Sequence, residues 1–192
     1  MANIQRREQI AAAALTLFDQ LGYHGTGMGD IAEAVGMRAS SLYNHFGSKQ
    51  ELLAEVAISG MEEMLRANAR SLAGVTAPQD KLATAMKTHV LFHTTRAQHA
   101  RVVNTQIGNL EEPASNVVKQ LRRDYVARWM SIVNEGTAAG IFHATDVKVA
   151  CWALIDMGTG VSIWYAEGGK YTPEMLGDMY AEFALHQLGV TS

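Results

Sequence analysis

The chain has 192 residues, 48% of them apolar and 18% charged, with a net charge of -3, three prolines and a single cysteine. That length holds one average domain or a small head on a larger body, and the apolar share belongs to a globular chain, not a disordered one. The lone Cys151 excludes an intramolecular disulfide framework and a cysteine-rich zinc module, so it reads as a buried structural thiol.

Ala, Leu and Met are plentiful and β-branched runs are short, which predicts an all-α fold of about nine helices. Met1 is followed by polar and charged residues, and the longest apolar run, Val149 to Ile155, is too short to span a bilayer. The expectation is a soluble, cytoplasmic protein with no membrane partner.

Residues 1 to 5 read as a short disordered arm. Ile10, Ala13, Ala14, Leu17, Phe18 and Leu21 then form a 3.6-period stripe that predicts a first helix closed by Gly22. After the loop Tyr23 to Gly27, the stretch Asp30 to Phe46 reads as two short helices about Gly36, a residue that ends a helix cheaply in the left-handed conformation. Ile31, Ala32 and Val35 share one face of the first, and Leu42 and Phe46 one face of the second. Ala32, Ala39, Ser40 and Ser41 keep the crossing close and leave the front of the second helix without bulk. This is helix-turn-helix geometry, in which the second helix enters the DNA major groove. Ser48, with Glu51 three residues on, has capping-box spacing and opens the next helix.

Arg7, Ile10, Ala14, Phe18, Gly22, Tyr23, Thr26, Ile31, Ala32, Gly36, Ser41, Leu42, Tyr43, His45, Phe46, Ser48, Lys49 and Leu52 together resemble the TetR (tetracycline-repressor-like) family of transcriptional regulators, over roughly residues 5 to 55. The resemblance implies a helix-turn-helix head, 1-50, and a helical ligand-binding and dimerisation body, 51-192. It also implies phosphate-holding roles for Tyr43, His45 and Lys49. Gly27 departs from the family's Ser or Thr at the start of the second helix, which throws one phosphate contact onto Thr26 or onto bare backbone N-H groups. Arg38, at the start of the recognition helix, is the candidate for a bidentate guanine contact, with a phosphate contact as the other reading. Ala39 and Ser40 would lie near base edges, and Asn44 near base or phosphate. Arg6 and Arg7 stand either by the DNA backbone or in a solvated first turn. Residues 1 to 50 hold four Lys/Arg against four Asp/Glu, so binding must rest on a few positioned donors, not on a diffuse basic patch.

Lys49 to about Ala73 reads as one long helix, broken at Gly74 to Pro78. The next carries Leu82, Ala85, Met86, His89, Val90 and His93 on one stripe. The i, i+4 pair His89 and His93 has metal-ligand spacing, but no further ligand stands nearby, and pocket-lining or hydrogen-bonded histidines are the commoner reading. A shorter helix runs from His99 to Leu110, and a long one from about Pro113 to Ala139, where Lys119, Arg122, Arg123 and Arg128 read as a solvated face. Gly136 to Gly140 reads as its stop. Asp146 caps a helix that continues to Tyr165 and contains Gly158 and Gly160, and a last helix opens at Thr172-Pro173.

These terminal helices are too apolar for a lone surface. By resemblance they form a four-helix dimer interface, with Leu154, Met157, Gly158, Val161, Trp164, Met175, Met179 and Phe183 as its candidates. Pocket candidates are Met64, Met86, His89, Val90, His93, Ile107, Trp129, Met130, Val133 and Trp152, apolar with a few polar handles. The segment Trp164 to Leu176 further resembles family members that respond to acyl-CoA thioesters and related lipid or steroid catabolites. The function so implied is a homodimeric regulator, a repressor of a palindromic operator released by a mostly hydrophobic effector. Two alternatives stand beside it: a ligand-independent architectural DNA binder, which would want a basic surface, and a small helical enzyme. No catalytic constellation, metal quartet or cofactor loop is found for the latter.

Overall fold

The computed structural model describes residues 2-190. Among them the helices are α1 (Ala2–Gly25), α2 (Met28–Ala34), α3 (Ala39–Leu42), α4 (Lys49–Ser71), α5 (Pro78–Thr95), α6 (Ala97–Gln106), α7 (Ala114–Ala138), α8 (Val147–Thr159), α9 (Val161–Trp164) and α10 (Pro173–Gln187), with a 3-10 turn at Ile107–Asn109 and no strand. The expected single helix from Asp146 to Tyr165 is divided at Gly160 into α8 and α9; counted as one, they bring the total to the expected nine. The described chain falls into two compact units, 2-61 with 98-119, and 62-97 with 120-190.

In the first unit α1 is already helical at Ala2, so residues 2-5 are no separate arm; Met1 lies outside the described residues. Its regular path stops at Gly22 (φ 74°, ψ 167°), a left-handed position that glycine takes without strain. Ile10, Ala14 and Phe18 are fully buried, whereas Leu21, expected on the same stripe, is exposed. α2 ends in a Schellman motif, with Met37 N-H donating to the Ala32 carbonyl (2.8 Å) and Gly36 N-H to that of Glu33 (3.0 Å). Gly36 has φ 65° and open space where a Cβ would be, so it is the backbone conformation that requires glycine there. Ile31, Ala32, Leu42 and Phe46 close the core between α2 and the recognition segment. α3 is a single turn, extended by bonds from His45 and Phe46 N-H to the Leu42 carbonyl. At the start of α4 the Ser48 hydroxyl accepts from Glu51 N-H (3.1 Å), and the Glu51 carboxylate accepts from Gly47 N-H (2.8 Å), one residue earlier than capping-box spacing predicts.

In the second unit α5 opens on Pro78 and packs against α8 and α10. Asp146 caps α8 through Lys148 and Val149 N-H (2.9 and 3.0 Å), and the Thr172 hydroxyl accepts from Met175 N-H (3.2 Å) at the start of α10. α7 ends at Ala138, inside the expected stop of Gly136 to Gly140, and the turn is made at Gly140 with φ 71°. Gly136 itself is still helical and is required by packing, since a Cβ on it would stand 2.0 Å from Cδ2 of the buried Phe142 ring. The 18-residue stretch Val147–Trp164 has a mean hydropathy of 1.2, enough by length and composition to cross a membrane, but it carries Lys148 and Asp156 and is divided at Gly160.

Denaturant unfolding tests the Phe142 contact. Gly136→Ala should cost about 1 to 3 kcal/mol, because the ring cannot retreat without opening the core. Gly29→Ala in α2, whose Cβ would meet nothing within 4 Å, should gain about 0.5 to 1 kcal/mol. An unchanged midpoint for Gly136→Ala would mean that Phe142 is not held against α7.

Candidate nucleic-acid interface and effector body

The recognition segment presents Arg38, Ala39, Ser40, Tyr43 and Asn44 to solvent, with Ser41 and His45 half-buried. The buried Leu42 and Phe46 anchor it, and the exposed side is made of small and polar groups with one guanidinium. Arg38 has no partner among the described residues.

The other three cations of the head are spent internally. Arg6 donates to the Val35 carbonyl at the end of α2 (3.1 Å) and to Gln9 (2.9 Å). Arg7 donates to the His45 carbonyl at the end of the recognition segment, lies over the Phe46 ring at 3.9 Å, and pairs with Glu51 (3.3 Å) and Glu55 (3.6 Å) of α4. Each closes an orphan carbonyl at a helix end while its side chain stays partly exposed. The Lys49 ammonium donates to the Tyr23 and Thr26 carbonyls, both at 2.7 Å, and sits over the Tyr23 ring at 4.2 Å. Two of the three ammonium N-H groups are thereby committed inside the head.

Thr26 is likewise withdrawn. It is 1% exposed, and its hydroxyl donates to the Gly22 carbonyl (2.9 Å). Gly27 N-H donates to Asp30 Oδ2 (2.7 Å), which leaves the amides of Met28 and Gly29 as the first-turn donors of α2.

A polar web ties the α1-α2 turn to the segment after α6. The Gln50 amide donates to the Tyr23 hydroxyl (2.9 Å) and the Asn109 carbonyl (2.7 Å) and accepts from Glu111 N-H (3.2 Å). Gln106 accepts from Tyr23 N-H (3.1 Å), His24 meets Asn109 (2.9 Å), and Asp19 pairs with Arg101 (2.6 Å). Sequence reasoning missed these contacts: apart from Tyr23 the residues belong to no motif, and their partners lie 27 to 85 residues away.

In the second unit Met64, Met86, His89, Val90, His93, Trp129 and Val133 are buried and Met130 half-buried. Two candidates are not with them: Ile107 lies on the 3-10 turn of the first unit, and Trp152 is exposed on the outer face of α8, with Lys148 over its ring at 5.0 Å. His89 Nε2 meets the Ile155 carbonyl (3.0 Å), which can only accept, so this nitrogen carries the proton and Nδ1 accepts from the Tyr125 hydroxyl (2.8 Å). His93 Nδ1-H donates to the His89 carbonyl (2.8 Å). With three of the pair's four nitrogens committed, the histidines do not form a metal site. Burial and the neighbouring His93 hold His89 well below the usual histidine range, and burial lowers His93 to about 4. Burial likewise raises the Tyr125 hydroxyl and takes the Cys151 thiol up to about 11. Gly158 is explained by the same cluster, since a Cβ there would stand 2.4 Å from His89 Cδ2.

Among the dimer candidates Leu154, Gly158 and Val161 are buried in their own unit and Met157 is half-buried; the first two and Val161 face the core formed with α5. Trp164, Met175, Met179 and Phe183 are exposed, together with Val149, Trp152 and Ile163, which were not expected there.

Residues 10-56 match the family described as bacterial regulatory proteins, tetR family, and residues 75-188 match the tetracyclin repressor-like C-terminal domain. The chain belongs to the TetR family. It is 29% identical over 185 residues to the HTH-type transcriptional repressor KstR2 of Mycolicibacterium smegmatis, covering 94% of this chain and 89% of that protein. A tetR-family regulatory protein from Rhodococcus RHA1 shares its structure with a TM-score of 0.91 at 26% identity, over 97% of this chain and 98% of the other. AibR, solved with isovaleryl coenzyme A and operator DNA, has the same fold, with a TM-score of 0.84 at 22% identity over 93% and 97% of the two chains. The protein is thus a TetR-family DNA-binding transcriptional regulator with an all-α fold, from a family of regulators and not of enzymes.

Two predictions follow from the buried cations and histidines. Lys49→Gln should lower stability by about 1 to 3 kcal/mol through the two carbonyls left short of a charged donor. It should weaken operator binding without changing the salt slope, whereas a slope reduced by about one would put the ammonium on a phosphate. The second concerns acid. His93 titrates near 6.5 unfolded and about 4 folded, so its contribution is fully present above pH 6.5 and lost as pH falls toward 4. Urea unfolding across that window should show a loss to which His93 contributes on the order of 3 kcal/mol and His89, depressed further, adds its own share; His93→Gln should remove the His93 share, and an undiminished loss in the variant would assign it elsewhere.

Proposed function

We propose that the protein is a homodimeric, cytoplasmic repressor that places one recognition segment in each of two successive major grooves of a palindromic operator and is released by a small, mostly hydrophobic effector bound in the second unit. The observation that carries this reading is the exposed face of Arg38, Ala39, Ser40, Tyr43 and Asn44 on an anchored turn, with Arg38 unpaired among the described residues while the head's other cations are internal. Ser41 supports the close crossing, and His45 and Asn44 lie at its phosphate side.

Dimerisation is supported by the exposed Val149, Trp152, Ile163, Trp164, Met175, Met179 and Phe183, a larger apolar surface than a lone chain leaves to water. A second copy laid across α8, α9 and α10 would cover it. The repressor sense is supported by the KstR2 relatives, and an acyl-CoA or related catabolite as effector by the AibR complex and by the segment Trp164 to Leu176. The mechanism needs only that the effector favour a body conformation whose head spacing misses one helical turn of DNA.

Selection from random duplex DNA supplies the operator, and Arg38→Ala tests the contact. The variant should lose about 1 to 3 kcal/mol and its preference at one base pair per half-site; equal weakening on every sequence would make Arg38 a phosphate ligand, and sequence-blind binding by the wild type would favour an architectural role. Phe183→Glu should sediment as a folded monomer, and a dimer of undiminished stability would move the interface elsewhere.

A further inference from the structure

Tyr23 follows the left-handed Gly22, and each of its polar groups is held. Its N-H donates to Gln106 Oε1 (3.1 Å), its carbonyl accepts from Lys49 (2.7 Å), and its hydroxyl accepts from Gln50 Nε2 (2.9 Å). The ring is buried beneath the Lys49 ammonium and meets Phe18 with centroids 5.7 Å apart. Two places thus hold this residue: the first two positions of α4, and the end of α6 where the 3-10 turn begins. They are also tied to each other. Gln50 Nε2 donates a second time, to the Asn109 carbonyl (2.7 Å), and Gln50 Oε1 accepts from Glu111 N-H (3.2 Å), so one amide serves three groups. The Asn109 amide reaches both ways, Nδ2 donating to Gln106 (3.3 Å) and Oδ1 accepting from His24 Nε2-H (2.9 Å). Further back, Arg101 grips Asp19 through bonds of 2.8 and 2.6 Å. Positions 19, 23 and 24 of α1 meet 101, 106 and 109 in the same order, so α6 runs alongside the end of α1 and in its direction. It delivers the 3-10 turn to the place where the chain leaves for α2.

The stretch matched to tetR-family regulatory proteins ends at residue 56, and Gln106, Asn109 and Glu111 lie in the stretch matched to the C-terminal domain. The structure nevertheless packs 98-119 with 2-61 in one unit. A site that reads base edges must be held to within about 0.5 Å of its productive geometry. Attraction to phosphates is electrostatic and acts over a longer range, so it is less demanding of position. With seven residues in α2 and four in α3, neither helix holds its own place. The recognition segment rides on α2 through the buried Ile31, Ala32, Leu42 and Phe46, and the turn at Tyr23 sets where α2 starts.

We propose that Gln50 and Asn109 are positioning residues for sequence reading. Through Tyr23 and His24 they fix the exit of α2, and with it the recognition segment, so the turn Ile107–Asn109 belongs functionally to the DNA-reading head. Losing them lowers affinity for the operator and leaves non-specific affinity for DNA as it is. Gln50 bonds only to uncharged groups, so the effect is independent of salt. This assignment rests on the recognition face proposed above.

The test uses the full-length protein with the selected operator and a random duplex of the same length, well below the unfolding temperature of each variant. Gln50→Met keeps the length of the side chain and removes its three hydrogen bonds. It should weaken operator binding by about tenfold and random-duplex binding by less than about twofold, with the salt slope unchanged. Asn109→Ala should act in the same sense. Tyr23→Phe should add little to Gln50→Met, because both break the same link. A role in folding alone would leave the ratio of operator to random-duplex affinity in Gln50→Met at its wild-type value, and that result overturns the assignment. A lowered ratio to which Tyr23→Phe adds its full effect also overturns it, since the path would then not run through Tyr23. A wild type that does not tell the operator from the random duplex overturns the recognition-face reading as well.

Discussion

Two main-chain carbonyls of the α1-α2 turn, those of Tyr23 and Thr26, are held by one ammonium, and the remainder of the head depends on that arrangement. Lys49 begins α4, so its side chain fastens the start of the long helix to the turn from which α2 leaves. Arg7 does the same at the other end, joining α1 to the last carbonyl of the recognition segment and to two carboxylates of α4. Arg6 closes the end of α2. A recognition helix of a single turn has little stability of its own. It is kept in place by a small apolar core and by three cations that satisfy carbonyls a short helix leaves open.

This arrangement accounts for the formal neutrality of the head. A protein that binds DNA through a diffuse basic surface needs its lysines and arginines outside, whereas here they stiffen the scaffold, and what remains for DNA is a guanidinium, a few hydroxyl and amide groups, and backbone N-H groups at helix starts. On the homodimer reading proposed above, affinity comes from geometry and from doubling the site. The web about Gln50 extends the same logic, making the turn that aims α2 rigid with respect to the segment after α6.

What could be read in the sequence divides along physical lines. Elements set by local rules were legible: Gly36 at a left-handed turn, Asp146 and Thr172 as caps, Pro78 at a helix start, and the core of Ile10, Phe18, Ile31, Leu42 and Phe46. Features set by tertiary partners were not. The internal bonds of Arg6, Arg7 and Lys49 were hidden, because their charge is visible and the carbonyls they serve are not. The packing need for Gly136 was not legible either, since nothing in the sequence places the Phe142 ring over it. Trp152, Leu154 and Val161 read in the sequence as one apolar helix, and only the packing of α5 against α8 and α9 decides which of them face inward.

The most direct measurement of the central claim is dimethyl sulfate protection on the selected operator. Two dyad-related guanines, one in each of two successive major grooves, should be protected at N7 by the wild type and released by Arg38→Ala, with the rest of the footprint intact. Protection confined to one groove, or guanines equally protected with and without the Arg38 side chain, would contradict the account.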